Sequence, residues 1–233
     1  MSDEQLTSEE IISKILGDFS LESTISIKLP SNRDVDVRPM SFEDEKALAT
    51  YDGSEPTDTL LERCLSTDDI DDLLIADKLY AIYKIREISY GNEYSFTKNC
   101  SKCNSSNDYS ININDLPVEY LEGDEENTEV MLPILKKPVV IRLASIRDSK
   151  YVMDFNQISS NLWRFIKSID GFENKDAISK IIPKMPSGDV KFLLKKIMGA
   201  DYGIQDLAIL KCSHCGFEEE VRIPISENFF SAS

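Results

Sequence analysis

The 233-residue sequence lacks the usual marks of catalysis and of membrane insertion. His214 is the single histidine and lies between two cysteines, which leaves no obvious base for a nucleophilic triad. There is no glycine-rich phosphate loop and no His-Glu-x-x-His motif. No apolar run reaches the roughly 18 residues that a membrane span needs. The acidic start MSDEQLTSEE has no apolar core of an export signal. We expect no enzyme, no small-molecule substrate and no membrane span.

Positive charge is scarce in the first part of the chain. Residues 1–130 hold 30 acidic and 11 basic side chains, whereas residues 131–233 hold 12 acidic and 15 basic ones, and the net charge is −16. An acidic surface repels the phosphates of nucleic acid. We therefore expect no nucleic-acid partner. A zinc-ribbon nucleic-acid or transcription accessory protein is the alternative function, because the cysteines described next are typical of ribbons.

Four of the five cysteines form two Cys-x-x-Cys pairs. The first pair is Cys100 and Cys103, the second is Cys212 and Cys215, and 108 residues separate Cys103 from Cys212. Each pair lies between two segments with the pattern of short strands, an arrangement called a knuckle below. Two cysteines three apart in a tight turn can direct both sulfurs at one ion. Five cysteines without an export signal indicate metal ligands or buried thiols before disulfides.

The residue after each pair favours a shared metal site. Asn104 and Gly216 belong to the types that best tolerate positive φ, which lets backbone N–H groups point back at sulfur. Two pairs supply four thiolates, the tetrahedral set that zinc prefers in structural sites. We expect a composite zinc ribbon that joins the middle of the chain to its end. Ordinary turns with free thiols, or a disulfide in each pair, are the alternatives, and iron is a second candidate metal.

Such a zinc would be structural. Four cysteines complete the tetrahedron and leave no position for a reactive water. His214 lies between the two cysteines of its pair, where side chains usually point away from the metal. Cys64 lies among leucines and is expected to be a buried, small hydrophobic residue.

Periodicity predicts an α+β fold of mixed helices and short antiparallel hairpins. Residues 24–38 alternate around a polar turn and predict a hairpin. The acidic segment 115–129, with seven acids and no base, predicts a solvated loop or linker. Helices are expected over 7–19, from Ser41, near 58–66 and 70–89, and near 145–169, 174–182 and 187–199.

One pattern occurs twice. VRPMSFEDEKAL (37–48) is similar to IRLASIRDSKYV (141–152), and each follows an alternating stretch with a Leu-Pro pair. In both, a serine would cap a helix and an aspartate three residues later would complete the capping box. The repeat indicates either an internal duplication or the chance recurrence of helix caps.

These signals divide the chain into four predicted parts. They are an N-terminal amphipathic helix or arm (1–23), a hairpin-helix unit with the first knuckle (24–126), a second hairpin-helix unit with a helical region (127–204), and the second knuckle with a C-terminal tail (205–233) that completes the ribbon with residues 94–114.

Two apolar features are candidate contacts with partners. The stripe of the first helix, with Ile11 and Ile15, either packs on the protein's own core or docks on a partner. The adjacent Phe229 and Phe230 either fill a partner's pocket as anchors or fold back beside the ribbon.

Three stretches together resemble the baseplate hub family of contractile-tailed, T-even-type bacteriophages. They are KLPSNRDVDVRPMSFEDEKAL, the CSKC knuckle, and DYGIQDLAILKCSHCGFEEEVRIPISENFF. The resemblance covers most of residues 24–230 and does not include the first helix. It implies a structural or assembly role in the tail baseplate hub and contacts with other hub or tail proteins. It also implies a place in the host cytoplasm during assembly and in the virion tail if the protein is retained. On matching positions it implies Cys100, Cys103, Cys212 and Cys215 as the metal site and no catalytic residue.

Overall fold

The computed structural model describes residues 7–16, 24–49, 56–67, 69–152, 160–199, 201–225 and 227–230. It confirms the α+β class. The helices are α1 (Ser8–Leu16), α2 (Phe42–Ala49), α3 (Pro56–Cys64), α4 (Ile75–Tyr90), α5 (Ser149–Val152), α6 (Lys175–Ile181) and α7 (Ser187–Ile197). The strands are β1 (Ile25–Lys28), β2 (Asp34–Val37), β3 (Leu65–Ser66), β4 (Glu93–Asn99), β5 (Ser106–Asn112), β6 (Val118–Glu119), β7 (Thr128–Met131), β8 (Pro138–Ile141), β9 (Ile166–Ile169), β10 (Gly203–Ile204), β11 (Leu207–Lys211) and β12 (Glu218–Arg222). None of the helices in these ranges has the length and apolar character needed to cross a membrane.

The same three-stranded sheet is built twice. In the first, β2 pairs antiparallel with β1 on one side and β3 on the other. In the second, β8 lies in the same way between β7 and β9. Helices follow the middle strand and the third strand in both cases, and a two-stranded hairpin comes next: β4–β5 in the first copy and β11–β12 in the second. The order of elements therefore repeats along the chain.

The first copy begins its helix α2 with a buried ion pair. The Arg38 guanidinium donates to both carboxylate oxygens of Asp44, at 2.7 and 3.3 Å. The same carboxylate accepts the Ser41 N–H at 2.7 Å and the Ser41 hydroxyl at 2.8 Å. The predicted capping box is thus present, and an arginine neutralises its acid.

The second copy repeats this arrangement. The Arg142 guanidinium donates to the Asp148 carboxylate at 2.6 and 3.0 Å, and the Ser145 N–H donates to it at 3.1 Å. Helix capping by itself requires a serine and an acid but no arginine. The repeated ion pair therefore favours internal duplication over a chance recurrence of caps.

A second buried carboxylate repeats as well. Asp77 is the third residue of α4, is fully buried, and accepts the N–H of Ser31 in the β1–β2 turn at 2.9 Å. Asp189 is the third residue of α7, is also fully buried, and accepts the N–H groups of Ile134 and Leu135 in the β7–β8 turn at 2.8 and 3.0 Å. Each aspartate therefore fixes a hairpin turn against the start of a helix.

Two hydrophobic cores support the copies. The second contains Phe165 and Leu193, both fully buried, between β8–β9 and helices α6 and α7. The first contains the buried face of α4 and also takes Phe96 from β4 and Leu210 from β11. Both knuckle hairpins thus stand on the first core, which places them side by side although they lie far apart in sequence.

One expectation for the secondary structure was wrong and another was incomplete. The helix predicted over 145–169 is broken: α5 is short, residues 153–159 lie outside the described ranges, and residues 166–169 form β9, whose side chains alternate between more and less buried. The segment 115–129 is a largely exposed loop as expected, but it is also tied to the fold, because β6 within it pairs with β10 and the Leu121 N–H donates to the Pro30 carbonyl at 2.8 Å. The helices expected near 58–66, 70–89, 174–182 and 187–199 are present with shifted ends.

Candidate metal centre

The two knuckles occupy matching places in the two copies. A Tyr-Gly pair stands ten residues before the first cysteine in each case, at Tyr90-Gly91 and Tyr202-Gly203. Both glycines have positive φ, 83° and 101°. Glycine adopts this conformation without the steric cost that a side chain would add.

The cysteine turns have the same hydrogen bonds. In the first, the Cys100 N–H donates to the Ser105 carbonyl at 3.0 Å and the Asn104 N–H donates to the Cys100 carbonyl at 2.9 Å. In the second, the Gly216 N–H donates to the Cys212 carbonyl at 2.9 Å. Asn104 and Gly216 have φ of 58° and 68°, as the sequence predicts for the residue after each pair. The turns therefore present two sulfurs each on one side.

The four sulfurs meet at one point. The Sγ atoms of Cys100, Cys103, Cys212 and Cys215 all lie within 4.8 Å of one another. Across the two knuckles, Cys100 to Cys215 and Cys103 to Cys212 are each 3.7 Å. A zinc–sulfur bond of about 2.3 Å gives tetrahedral sulfur–sulfur distances of about 3.8 Å, whereas a disulfide is about 2.05 Å long. The cluster has the size of a tetrahedral metal site, and all four cysteines are free.

Burial differs between the two cysteines of each pair. Cys100 and Cys212 are 3% exposed, whereas Cys103 and Cys215 are exposed. One cysteine of each knuckle is thus buried and the other is at the surface. A metal ion could reach the cluster from solvent without opening the core.

Asn107 joins the two knuckles and was not singled out from the sequence. Its carbonyl oxygen accepts the N–H and the hydroxyl of Ser213 at 2.9 and 2.7 Å, and its amide nitrogen donates to the Cys212 sulfur at 3.6 Å. It is 6% exposed. A hydrogen bond to sulfur stabilises a thiolate ligand and fixes its position. The only sequence signal is a polar residue at an inward strand position.

The protein environment already favours a thiolate at one ligand. Backbone N–H groups, first that of Cys215 and then that of His214, lower the pKa of Cys212 to about 6, against the opposing effect of burial. The Ser105 hydroxyl and N–H lower the pKa of Cys103. The pKa of Cys215 is raised to about 12, because burial and the neighbouring thiols outweigh the Phe217 N–H, which lowers it. Four thiols this close cannot all ionise without a cation among them.

Two further residues with metal-binding side chains, His214 and Cys64, are not members of the cluster. Among the described residues, the metal-sized cluster includes neither His214 nor Cys64. Cys64 is 2% exposed within the first core, and burial raises its pKa to about 12.

The predicted partner contacts have different surroundings. Phe229 is fully buried, and its ring lies 5.0 Å from that of Tyr83 and 4.9 Å from that of Tyr94, edge to face. It therefore folds back on the core, as one of the two interpretations had it, and is not an exposed anchor. Phe230 is partly buried against it. Ile11 and Ile15 on α1 are 43% and 77% exposed, so this stripe does not pack on the protein's own core.

A comparison with known protein families matches the part of the chain that contains both copies. The model of a family described as T4 bacteriophage base plate protein matches residues 22–231. A search of curated proteins and a search of solved structures returned no match. The matched range includes both copies and both knuckles, and α1 lies before it. The match covers far more than half of the sequence and agrees with the resemblance seen in its motifs, so the chain belongs to the T4 bacteriophage base plate protein family.

Proposed function

We propose that the chain is a structural or assembly protein of the baseplate hub of a phage tail. The family match over residues 22–231 carries this proposal, since it assigns the chain to the baseplate. The protein acts through contacts with other hub or tail proteins and catalyses no reaction. It is made in the host cytoplasm and stays in the virion tail if it is a permanent component.

We further propose that Cys100, Cys103, Cys212 and Cys215 hold one structural zinc ion. The 3.7 Å sulfur separations and the absence of bonds between the sulfurs fit that ion. Bound zinc would supply a fixed tetrahedral crosslink and no open coordination position. The protein side supplies the two turns, the Asn107 amide at the Cys212 sulfur, and Lys98, which pairs with Glu219 across the knuckles at 3.1 Å.

The crosslink fits a scaffold role. Each knuckle belongs to a different copy, so the ion would fasten one copy to the other at the first core. A protein that must keep its shape while neighbours assemble on it benefits from such a fixed contact. The exposed stripe of α1, with Ile11 and Ile15, and the partly buried Phe230 remain the proposed partner contacts. The buried Phe229 ring packs edge to face against the Phe230 ring.

The alternative, a nucleic-acid accessory protein, gains nothing from the knuckle surfaces. The second strand of the second knuckle begins with Glu218, Glu219 and Glu220, and that of the first carries Asp108. Because Lys211 pairs with Glu218 and Lys98 with Glu219, these strands offer phosphate no excess of positive charge.

Crosslinking mass spectrometry on infected cells tests the baseplate role. The tagged full chain should crosslink to tail or baseplate proteins, and a Cys212→Ser variant should do so less. Binding of a DNA or RNA duplex by the purified chain at physiological salt, together with no crosslinks to tail proteins, would reject the hub role in favour of the alternative.

Metal analysis of the purified chain should find one zinc per chain, and iron in its place would correct the identity of the metal.

A further inference from the structure

The β7–β8 turn of the second copy exposes apolar side chains where the first copy exposes polar ones. Ile134 and Leu135 are 56% and 45% exposed, and Lys136 follows them. In the first copy the equivalent turn carries Ser31 and Asn32. Two adjacent exposed aliphatic side chains beside a lysine form a surface, called the 132–137 turn below, that water solvates poorly.

The first copy shows how such a turn is used. There the acidic segment around Leu121 lies across it: the Leu121 N–H donates to the Pro30 carbonyl at 2.8 Å, and the Asn32 amide donates to the Leu121 carbonyl at 2.9 Å. Arg33 forms an ion pair with Glu125 of the same segment. An acidic, apolar piece of chain thus covers the first turn, whereas the described residues include no such cover for Ile134 and Leu135.

Helix α1 combines acidic side chains with an apolar stripe that none of the described residues covers. Its stripe of Ile11, Ile12 and Ile15 is 43%, 54% and 77% exposed. Glu9 and Glu10 precede the stripe in its first turn. The helix lies outside the family-matched range.

We propose that α1 of one chain docks on the 132–137 turn of a second copy, and that the two chains exchange this contact reciprocally. Both surfaces are apolar and open, and the charges beside them are opposite. Glu9 and Glu10 lie in the first turn of α1, and Lys136 follows Leu135 in the turn. Every chain carries both surfaces, so a two-fold pair covers each of them twice. The inference names the partner of the α1 stripe and otherwise does not depend on the baseplate role.

Sedimentation equilibrium on the purified, zinc-loaded full chain tests the pairing. The wild-type chain should dimerise, and added salt should weaken the dimer because part of the attraction is electrostatic. An arm variant, Ile11→Asp with Ile15→Asp, and a turn variant, Ile134→Ser with Leu135→Ser, should each be monomeric. Phe172→Ser removes an aromatic side chain that is 72% exposed elsewhere in the second copy, and it should leave the dimer intact.

Mixing the two monomeric variants gives the decisive measurement. The mixture contains wild-type arms on one variant and wild-type turns on the other, so one of the two contacts can re-form. Dimer should therefore reappear in the mixture, at weaker affinity than wild type, which misfolded variants would not show. The proposal would be overturned by a wild-type chain that is monomeric at about 100 μM, or by a dimer that neither double substitution weakens. Docking of α1 on its own chain would do the same, and it would appear as a compact monomer.

Discussion

Asp44 is the most heavily bound carboxylate of the repeated capping boxes. Its side chain is fully buried and lies 2.7 Å from Arg38 and 2.5 Å from Arg63. Burial acts to raise its pKa, but the Arg38 guanidinium, the Ser41 groups and Arg63 outweigh burial and lower it. The carboxylate is therefore ionised at neutral pH, and the helix start depends on its charge.

We predict that Asp44→Asn destabilises the fold by about 2–3 kcal/mol, since it leaves two arginines without their partner. The partial exposure of Arg63 keeps the cost below that of a fully buried pair. Asp148→Asn is the matched variant in the second copy, and it should cost less because one arginine, Arg142, contacts that carboxylate. Urea denaturation measures both, and an equal cost would contradict the role given to Arg63.

The lowered pKa values of these carboxylates predict how the stability of the fold changes with pH. The pKa values of Asp44 and Asp148 are both lowered in the folded chain. The stabilisation they give is complete above the ordinary carboxyl pKa of about 4 and is lost as the pH falls below it. The asparagine variants should therefore lose part of the acid sensitivity of the wild-type chain.

The metal centre gives a second prediction at single residues. Cys212→Ser should abolish stoichiometric zinc binding and lower the melting temperature, because three thiolates and a hydroxyl bind zinc far more weakly and the binding energy of a structural zinc contributes to folding. Cys64→Ala is the control, since this buried thiol lies outside the cluster. It should keep one zinc per chain. Metal content and calorimetry on both variants check this, and a Cys212→Ser chain with full zinc would remove Cys212 from the ligand set.

At the scale of elements, the two Tyr-Gly pairs allow a comparison between copies. Gly91 and Gly203 both have positive φ, but a Cβ on Gly91 would meet open space, whereas one on Gly203 would lie 3.1 Å from the Ala76 Cβ. Gly91→Ala should cost about 1 kcal/mol for the backbone conformation alone. Gly203→Ala should cost more, since α4 must also shift.

Thermal denaturation of the two alanine variants measures the difference. Asparagine in place of Gly91 should cost as much as alanine, because φ 83° with ψ 178° lies in a region that only glycine occupies readily. Equal losses for both alanine variants would show that the contact with Ala76 is unimportant.

Local signals in the sequence predicted several elements well. The hairpin over 24–38, the capping boxes at Ser41 and Ser145, and the turns after each cysteine pair depend on neighbours in the chain, and all are present. The strand β9 was missed because four residues carry little periodicity and its pairing partner, β8, is 25 residues away. The burial of Phe229 and the hydrogen bonds of Asn107 also depend on contacts distant in sequence.

At the scale of the whole molecule, the thiol cluster joins two hairpins that are distant in sequence. Removal of the proposed metal by a chelator should therefore loosen both hairpins together. We predict faster hydrogen exchange in residues 93–112 and 207–222 at the same chelator concentration, with little change in residues 166–197 of the second core. Loss of protection in one hairpin alone, with the other unchanged, would contradict a shared ion.

The separation of the two cysteine pairs also has a consequence in time. Synthesis proceeds at about 5–20 residues per second, so the first pair of thiols exists for roughly 5–20 s before the second pair is made. During that interval the nascent chain offers a metal ion two thiols instead of four, and the elements of the second sheet are synthesised. We predict that the proposed ion is held tightly only after both copies stand on the first core, so that metal loading would mark the completion of folding.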